Sequence, residues 1–385
     1  MTAEPRSERI PSMKEYTRPE AVIISYPFRT LGNPDDFLFL DIETTGLSPE
    51  NAEIYLIGAL SHREDTGWTL RQWFADGLSS EQEMLVSFFD FASSFRTLVH
   101  YNGDSFDLPF LMRCAAQYGI PHPFEGMTSL DLYRAVRPYR KILGTERINQ
   151  KSMERFLGLQ RADRFSGGEL ISVYRNYLNS GGTALLQQLL LHNEEDVTGL
   201  PVLLSLLSYR DFFLGGFRDA SAEAGDAGDL DVPDEASLSP LILRMKSDAF
   251  LPVPVSFRGE GFSLEAEENR LTLFLPRTRG TMLYFYDNYR DYYYLPAEDR
   301  AIHKSVAEFV DRASKVRATA RTACTKKEGV FFRHPGRPSG GVHLFRPSYE
   351  SPERFEDQEA LDFNDEARLL RLAEDCLAAA GLREL

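Results

Sequence analysis

Apolar residues Phe37–Leu40 run straight into Asp41, Ile42 and Glu43, and the run predicts a buried strand over Phe37–Ile42. Glu53–Leu60 and Trp68–Phe74 have the same strand-like density, with a turn supplied by Glu64–Gly67, so an antiparallel meander is expected. From Ser80-Glu81 the period changes: Met84, Leu85, Phe88, Phe89 and Phe95 recur at helical spacing. Leu98–Tyr101 is another apolar run ending in Asn-Gly. A helix is expected from Ser105 to Tyr118, stopped at Gly119-Ile120-Pro121, and Met127–Leu132 reads as a short strand. Ser152–Leu214 is helical in pattern: Met153–Leu157, Gly168–Leu178, then Thr183–Leu214 with Pro201 as the kink position. Upstream, Ala21–Ile24 is the one apolar patch, a candidate edge strand.

The pattern then breaks. Gly215–Pro240 is rich in Gly, Ala, Asp and Ser and nearly free of large apolar residues, which reads as an acidic flexible linker. Beyond it, Val253–Leu295 alternates strand-like segments with turn signals and carries the aromatic clusters Tyr284-Phe285-Tyr286 and Tyr292-Tyr293-Tyr294. Helices are expected at Ala301–Val316 and Glu366–Ala380. The organisation is an N-terminal extension (1–36), an α/β domain (37–214) of mixed sheet flanked by helices, the linker (215–240), and a smaller α+β C-terminal unit (241–385).

Composition adds bounds. A chain of 385 residues with 43% hydrophobic content has room for two domains and their cores. No uninterrupted apolar run reaches membrane-spanning length, and the first residues lack the apolar core of a signal peptide, so no membrane association is expected. Cys114, Cys324 and Cys376 are too scattered for a disulfide framework or a cysteine zinc site; a reducing, cytoplasmic setting is expected. The net charge of −15 argues against a generally adhesive nucleic-acid coat. Locally the balance differs. Ala301–Arg346 holds ten basic residues against three acids. Two readings stand: a stretch that tracks a phosphate backbone, or a solvated surface balancing the acidic linker.

The candidate chemistry begins at the end of the first strand. Period-two alternation places Asp41 and Glu43 on one face, and burying two like charges that close is costly unless a cation neutralises them. Oxygen donors of this kind suit Mg2+ or Mn2+. Asp107 lies just inside the helix that follows the Leu98–Tyr101 strand, while Asp104, in the turn, is expected in solvent. His192 and Asp196 stand at i and i+4, one turn apart on one helix face.

DIETTGL at 41–47, YNGDSFDLPFL at 101–111 and HNEED at 192–196 resemble, in that order, the three motifs of DEDD-type 3′-5′ exonucleases of the ribonuclease H-like superfamily. Length and element order are most similar to stand-alone YprB-like ribonuclease H-like domain proteins. The resemblance covers roughly 37–214 and none of the C-terminal unit. It implies a ribonuclease H-like fold, with Asp41, Glu43, Asp107 and Asp196 as metal carboxylates for two divalent cations, Mg2+ or Mn2+. It implies His192 as general base, at the three-residue spacing where the family's Tyr variant places its tyrosine. It implies hydrolysis of phosphodiester bonds at ends of single-stranded DNA or RNA. Leu47, Tyr101 and Phe106 are suited to stack on terminal bases, or else to the core; Thr44 and Asn102 are suited to bond sugar or phosphate. The reading from a different class is a nucleic-acid binding or scaffold protein that keeps the fold without catalysis.

Overall fold

The computed structural model describes residues 12–224, 238–336 and 341–383. The chain forms two compact units, the second beginning at Asp211 and also taking Lys141–Gly144. In the first unit, β1 (Met13–Pro19), β2 (Phe37–Thr44), β3 (Ile54–Arg63), β4 (Gly67–Ala75), β5 (Thr97–His100) and β6 (Thr128–Asp131) make one sheet in the order β1-β4-β3-β2-β5-β6. The meander strands pair antiparallel, whereas β2–β5 and β5–β6 are parallel. Parallel neighbours need a crossover. Here α1 (Glu81–Ala92) and α2 (Asp107–Tyr118) provide it, followed by α3 (Leu132–Val136), α4 (Gln150–Phe156), α5 (Gly167–Ser180), α6 (Thr183–Leu203) and α7 (Leu207–Leu214).

Two cores cover the sheet. Leu38, Leu40 and Ile42 of β2 join Met84 and Phe88 of α1 and Phe110 and Leu111 of α2. On the opposite side, Tyr55, Leu56 and Phe74 pack with Leu170, Tyr174 and Tyr177 of α5 and Leu189 of α6. Burying a side chain of this size is worth ~1.5–3 kcal/mol. That burial pins the register of β2, because a one-residue slip would turn its apolar row out of the first core. With Leu40 and Ile42 so committed, Asp41 and Glu43 face the α6 layer.

The edge strand is Met13–Pro19, paired in register with β4 (Thr17 opposite Arg71), and not Ala21–Ile24, whose Ile23 is exposed. An edge strand has one solvated side, so its polar residues hide it from an apolar-pattern reading. The sheet therefore begins well inside the segment read as an extension. The helical run Thr183–Leu214 is long and apolar enough by composition to cross a membrane, although His192–Asp196 interrupt its apolar residues. However, 72% of its most apolar window is buried inside the protein.

The second unit is mostly β. β7 (Phe217–Ala224) pairs with β8 (Leu238–Ser247), and β9 (Val255–Arg258), β10 (Ser263–Glu267), β11 (Arg270–Phe285), β15 (Cys324–Arg333), β16 (Leu344–Phe345) and β17 (Phe355–Asp357) complete that sheet. A smaller sheet holds β12 (Tyr292–Leu295), β13 (Arg300–His303) and β14 (Val316–Arg317). The linker reading is corrected at both ends, since 217–224 and 238–240 are strand; residues 225–237 lie outside the described residues. Cross-strand ion pairs such as Arg244–Glu223 hold this polar edge. The helix expected over Ala301–Val316 lasts only one turn, α8 (Lys304–Ala307). Of its apolar residues Ile302 and Ala307 are buried, while Phe309 is 89% exposed, so a longer helix would have had no core to cover. The terminal helix is α9 (Glu366–Ala379), with Leu369, Leu372 and Cys376 buried.

Candidate functional site

Asp41 and Glu43 project from the end of β2 toward α6, and α6 reaches them because β3 carries a glycine. A Cβ on Gly58 would stand 2.1 Å from Asn193 Oδ1. Through that gap the Asn193 amide donates to Asp41 Oδ2 at 3.0 Å and accepts from Gln72 Nε2 at 2.9 Å. Asp107, the first residue of α2, is buried and accepts the Ile42 N–H at 3.1 Å through Oδ1. This ties the helix start to the strand that carries the other two acids.

Each residue of His192–Asp196 has a separate task. His192 Nε2 lies 3.0 Å from Asp196 Oδ2 and 3.3 Å from Glu43 Oε1, so one turn of α6 closes the cluster. Its Nδ1 lies 2.7 Å from Asp163 Oδ2, which Lys151 Nζ also meets at 2.8 Å. Asn193 holds Asp41. Glu194 pairs with Arg18 of β1. Glu195 accepts the backbone N–H groups of Ala162 and Asp163, at 2.8 and 2.9 Å, which places the loop before α5. From that loop Arg161 enters: Nη1 is 2.6 Å from Asp196 Oδ1, and the rest of the guanidinium pairs with buried Glu154. Asp163 and Arg161 are the functional candidates that the sequence reading missed. They lie in a polar loop with no periodicity, and only the tertiary contact to Glu195 brings them in.

The electrostatics follow from that crowding. Burial, then the charges of Asp196, Asp107 and Glu43, holds the Asp41 carboxyl well above its usual range. Burial likewise raises Glu43, to about 8, although the neighbouring His192 charge pulls the other way. Asp107 is pushed up to about 7 by burial, against the Ile42 hydrogen bond. Burial raises Asp196 too, but His192 and Arg161 outweigh it and hold that carboxyl below its usual value. For His192 burial is overcome by the Asp196 hydrogen bond and the charges of Asp196, Glu43 and Asp163, and the imidazole is raised to about 9. Carboxyls driven toward neutrality by burial and then by one another are what an unneutralised oxygen-donor site looks like. The donor set, all carboxylate oxygen with one imidazole beside it, fits hard divalent cations, and ligand atoms of Glu43, His192 and Asp196 lie within 4.8 Å of one another.

The site opens into a cavity of about 550 Å3 that brings together every residue singled out in the sequence: Asp41, Glu43, Thr44, Leu47, Tyr101, Asn102, Phe106, Asp107, His192 and Asp196. Leu47 is 85% exposed at this cavity. Asn102 takes a left-handed backbone (φ 67°), which Asn tolerates better than most residues. Thr44 Oγ1 donates to Gly46 O at 2.6 Å and Tyr101 donates to Ile148 O, so both hydroxyls are already engaged. Ile42, Gly46 and, from α5, Gly167, Gly168 and Ile171 complete the lining. Asp104 is about one-fifth exposed and pairs with Arg134. It sits near His100 and Asp131 in a second acidic group, but Asp131 there caps α3 and His100 is bonded to the Gly103 N–H and to Ser129.

The family model described as RNase_H superfamily matches residues 38–208. No curated protein matches the chain. Similar solved structures include the family B DNA polymerase of the archaeon Pyrobaculum calidifontis, at 18% identity and TM-score 0.37, covering 46% of this chain and 25% of the polymerase. They also include Brucella melitensis NrnC bound to pGG, at 18% identity and TM-score 0.30, covering 46% of this chain and 74% of NrnC. A third is E. coli Exonuclease I in complex with a dT13 oligonucleotide, at 15% identity and TM-score 0.26, covering 40% and 43%. The chain thus spans less than half the length of the polymerase and of Exonuclease I. With its mixed sheet, flanking helices and matched segment, the stretch 38–208 is a domain of the RNase H superfamily.

Proposed function

We propose that this domain hydrolyses phosphodiester bonds at the ends of single-stranded nucleic acid, working 3′ to 5′. Asp41, Glu43, Asp107 and Asp196 hold two divalent cations, Mg2+ or Mn2+, and His192 is the general base. The observation that carries the reading is the placement of His192, with Nε2 within 3.3 Å of both Glu43 and Asp196 and Nδ1 on Asp163. When bound, the cations neutralise the phosphodiester and stabilise the departing oxygen. In the cation-free protein the imidazole, raised to about 9, is charged at neutral pH. Cations on the carboxylates would offset the charges that raise it, and Nδ1–H donated to Asp163 then leaves the Nε2 lone pair turned into the cluster to take the proton of the attacking water. The imidazolium so formed is stabilised by the Asp163 carboxylate. Leu47 and Phe106 offer apolar surface to the terminal bases, and Asn102 offers an amide to sugar or phosphate.

The test is incubation of end-labelled DNA and RNA single strands with Mn2+ or EDTA, resolved by length. Stepwise shortening from the 3′ end with Mn2+ alone is expected; EDTA-resistant cleavage overturns the reading. A second reading, binding without catalysis, draws support from Arg161, whose cation already occupies one oxygen of Asp196. In that case Mn2+ produces no shortening and the strand is merely retained.

A further inference from the structure

The aromatic clusters and the basic stretch lie in the second unit, and the chemistry of the first leaves both unused. Folding neutralises much of the basic stretch. Lys304 pairs with Asp291, Arg321 with Glu350, Lys326 with Asp299, Lys327 with Asp357 and Glu359, and Arg333 with Glu260 and Glu353. All of those acids come from outside Ala301–Arg346, so the surface is far less cationic than the linear count, and Arg337 lies outside the described residues. Three of the cations that have no carboxylate partner among the described residues are placed on rings. Lys315 and Arg317 lie 5.5 and 4.6 Å from the Tyr293 ring centre, and Arg346 lies 6.0 Å from that of Phe285.

One groove gathers this chemistry. Tyr284, Tyr286, Tyr289, Tyr349, Arg346 and Arg354 line a cavity of about 710 Å3 at the end of β11, with Asp287 the single carboxylate of its lining among the described residues. Among the described residues neither Arg346 nor Arg354 has an ion-pair partner. The rings are set in place: Tyr286 stacks on Tyr292 at 4.2 Å and 9°, and Tyr284 meets Tyr286 edge-on at 5.5 Å. Tyr284, Tyr286 and Tyr289 are only half-buried, so their ordering does not come from enclosure in a core.

We infer that this groove binds a single-stranded segment of nucleic acid, the tyrosine faces taking bases and Arg346 and Arg354 taking phosphates. Flat rings interleaved with unneutralised guanidinium groups match a chain that alternates flat bases with anions. Guanidinium groups also suit phosphate geometry better than ammonium groups do. The ligand class follows from the proposed function of the first unit; the groove's geometry is independent of it.

The test uses the full chain in EDTA and a fluorescein-labelled oligothymidylate of about 12 nucleotides, within the span of one single-strand-binding fold. Anisotropy gives affinity as a function of salt. Tyr286→Ala and Tyr349→Ala are expected to lose about tenfold in affinity each, the usual weight of one stacked base. Arg346→Ala combined with Arg354→Ala is expected to flatten the slope of log K against log salt by roughly 1.4. Tyr349 and Arg354 are exposed, so those substitutions remain informative if Tyr286→Ala melts early. Affinities within about twofold of wild type for Tyr349→Ala and for the arginine pair overturn the inference, since one stacked base alone outweighs that. So does competition by polyglutamate as strong as by unlabelled oligothymidylate, which marks an acidic-peptide site. Hydrolysis of a dinucleotide with Mn2+ is measured in parallel and is expected to be unchanged in these variants. Its absence from wild type, beside the stated binding pattern, refutes the first unit's reading and leaves the groove standing.

Discussion

His192 Nδ1 and Asp163 Oδ2 lie 2.7 Å apart, joined across 29 residues of chain, with side chains 4% and 2% exposed. So enclosed a carboxylate fixes both the ring's orientation and which nitrogen carries the hydrogen. Asp163→Asn keeps the shape and removes the charge. It is expected to lower kcat by ~10–100-fold, the usual cost of losing an orienting partner, with KM little changed. A raised KM at unchanged kcat would show that Asp163 serves the loop and not the base.

His192→Ala is expected to lower the rate ~10^2–10^4-fold, the range for positioned proton transfer, while cation binding persists because the carboxylates remain. His192→Tyr is the sharper comparison, since Tyr is what the resembled exonucleases carry at this spacing. It is expected to recover a sizeable part of the loss. A rate for His192→Ala close to wild type would leave water activation to the cations alone.

Asp41→Ala is expected to abolish hydrolysis without lowering the melting temperature of the cation-free protein. Removing one carboxylate relieves repulsion with Asp196, Asp107 and Glu43, the charges that raise Asp41. Mn2+ is expected to raise the melting temperature of wild type more than that of the variant. Equal shifts in thermal denaturation would remove Asp41 from the cation site.

The cation-free protein is expected to lose stability as pH rises from about 5 to 9. Glu43 and Asp107 are raised, to about 8 and about 7, so above their unfolded values the folded state holds protons that the unfolded chain has released. His192, raised to about 9, adds stability that is complete below its unfolded value and vanishes as pH passes the folded one. All three therefore act in the same direction. Asp196 and Asp163 are lowered, so their contribution fades only in acid. Mn2+ competes with those protons, and its stabilising increment is expected to grow over the same pH range. Melting curves with and without Mn2+ measure both trends; an increment that shrinks with pH would contradict the proton count.

Gly58→Ala is expected to destabilise the first unit by ~1–3 kcal/mol, because its Cβ would meet Asn193 Oδ1 at 2.1 Å and push α6 away from β3. The same shift moves His192 and Asp196 off the acids of β2. Activity is therefore expected to fall even where the variant remains folded, as followed by circular dichroism alongside hydrolysis.

What the sequence determined by itself is what short-range periodicity encodes. Alternation in Phe37–Ile42 put Asp41 and Glu43 on one face; the i,i+4 spacing put His192 beside Asp196; the helix start placed Asp107. Each is a relation within a few residues, and each reappears in the cavity that the structure forms. Pattern misled where stability comes from a distant partner. Met13–Pro19 is too polar to announce itself and becomes a strand because β4 offers an open edge. Ala301–Val316 reads as a helix, but Phe309 is left 89% exposed. Arg161 and Asp163 lie in a loop whose local sequence dictates no conformation; the carboxylate of Glu195 on α6, accepting the backbone N–H groups of Ala162 and Asp163, decides where they stand. The tertiary structure likewise decided the fate of the basic stretch, because acids remote in sequence come within ion-pair distance of Lys304, Arg321, Lys326, Lys327 and Arg333. Charge along a chain adds linearly, whereas charge on a surface is set by whichever residues the fold makes neighbours.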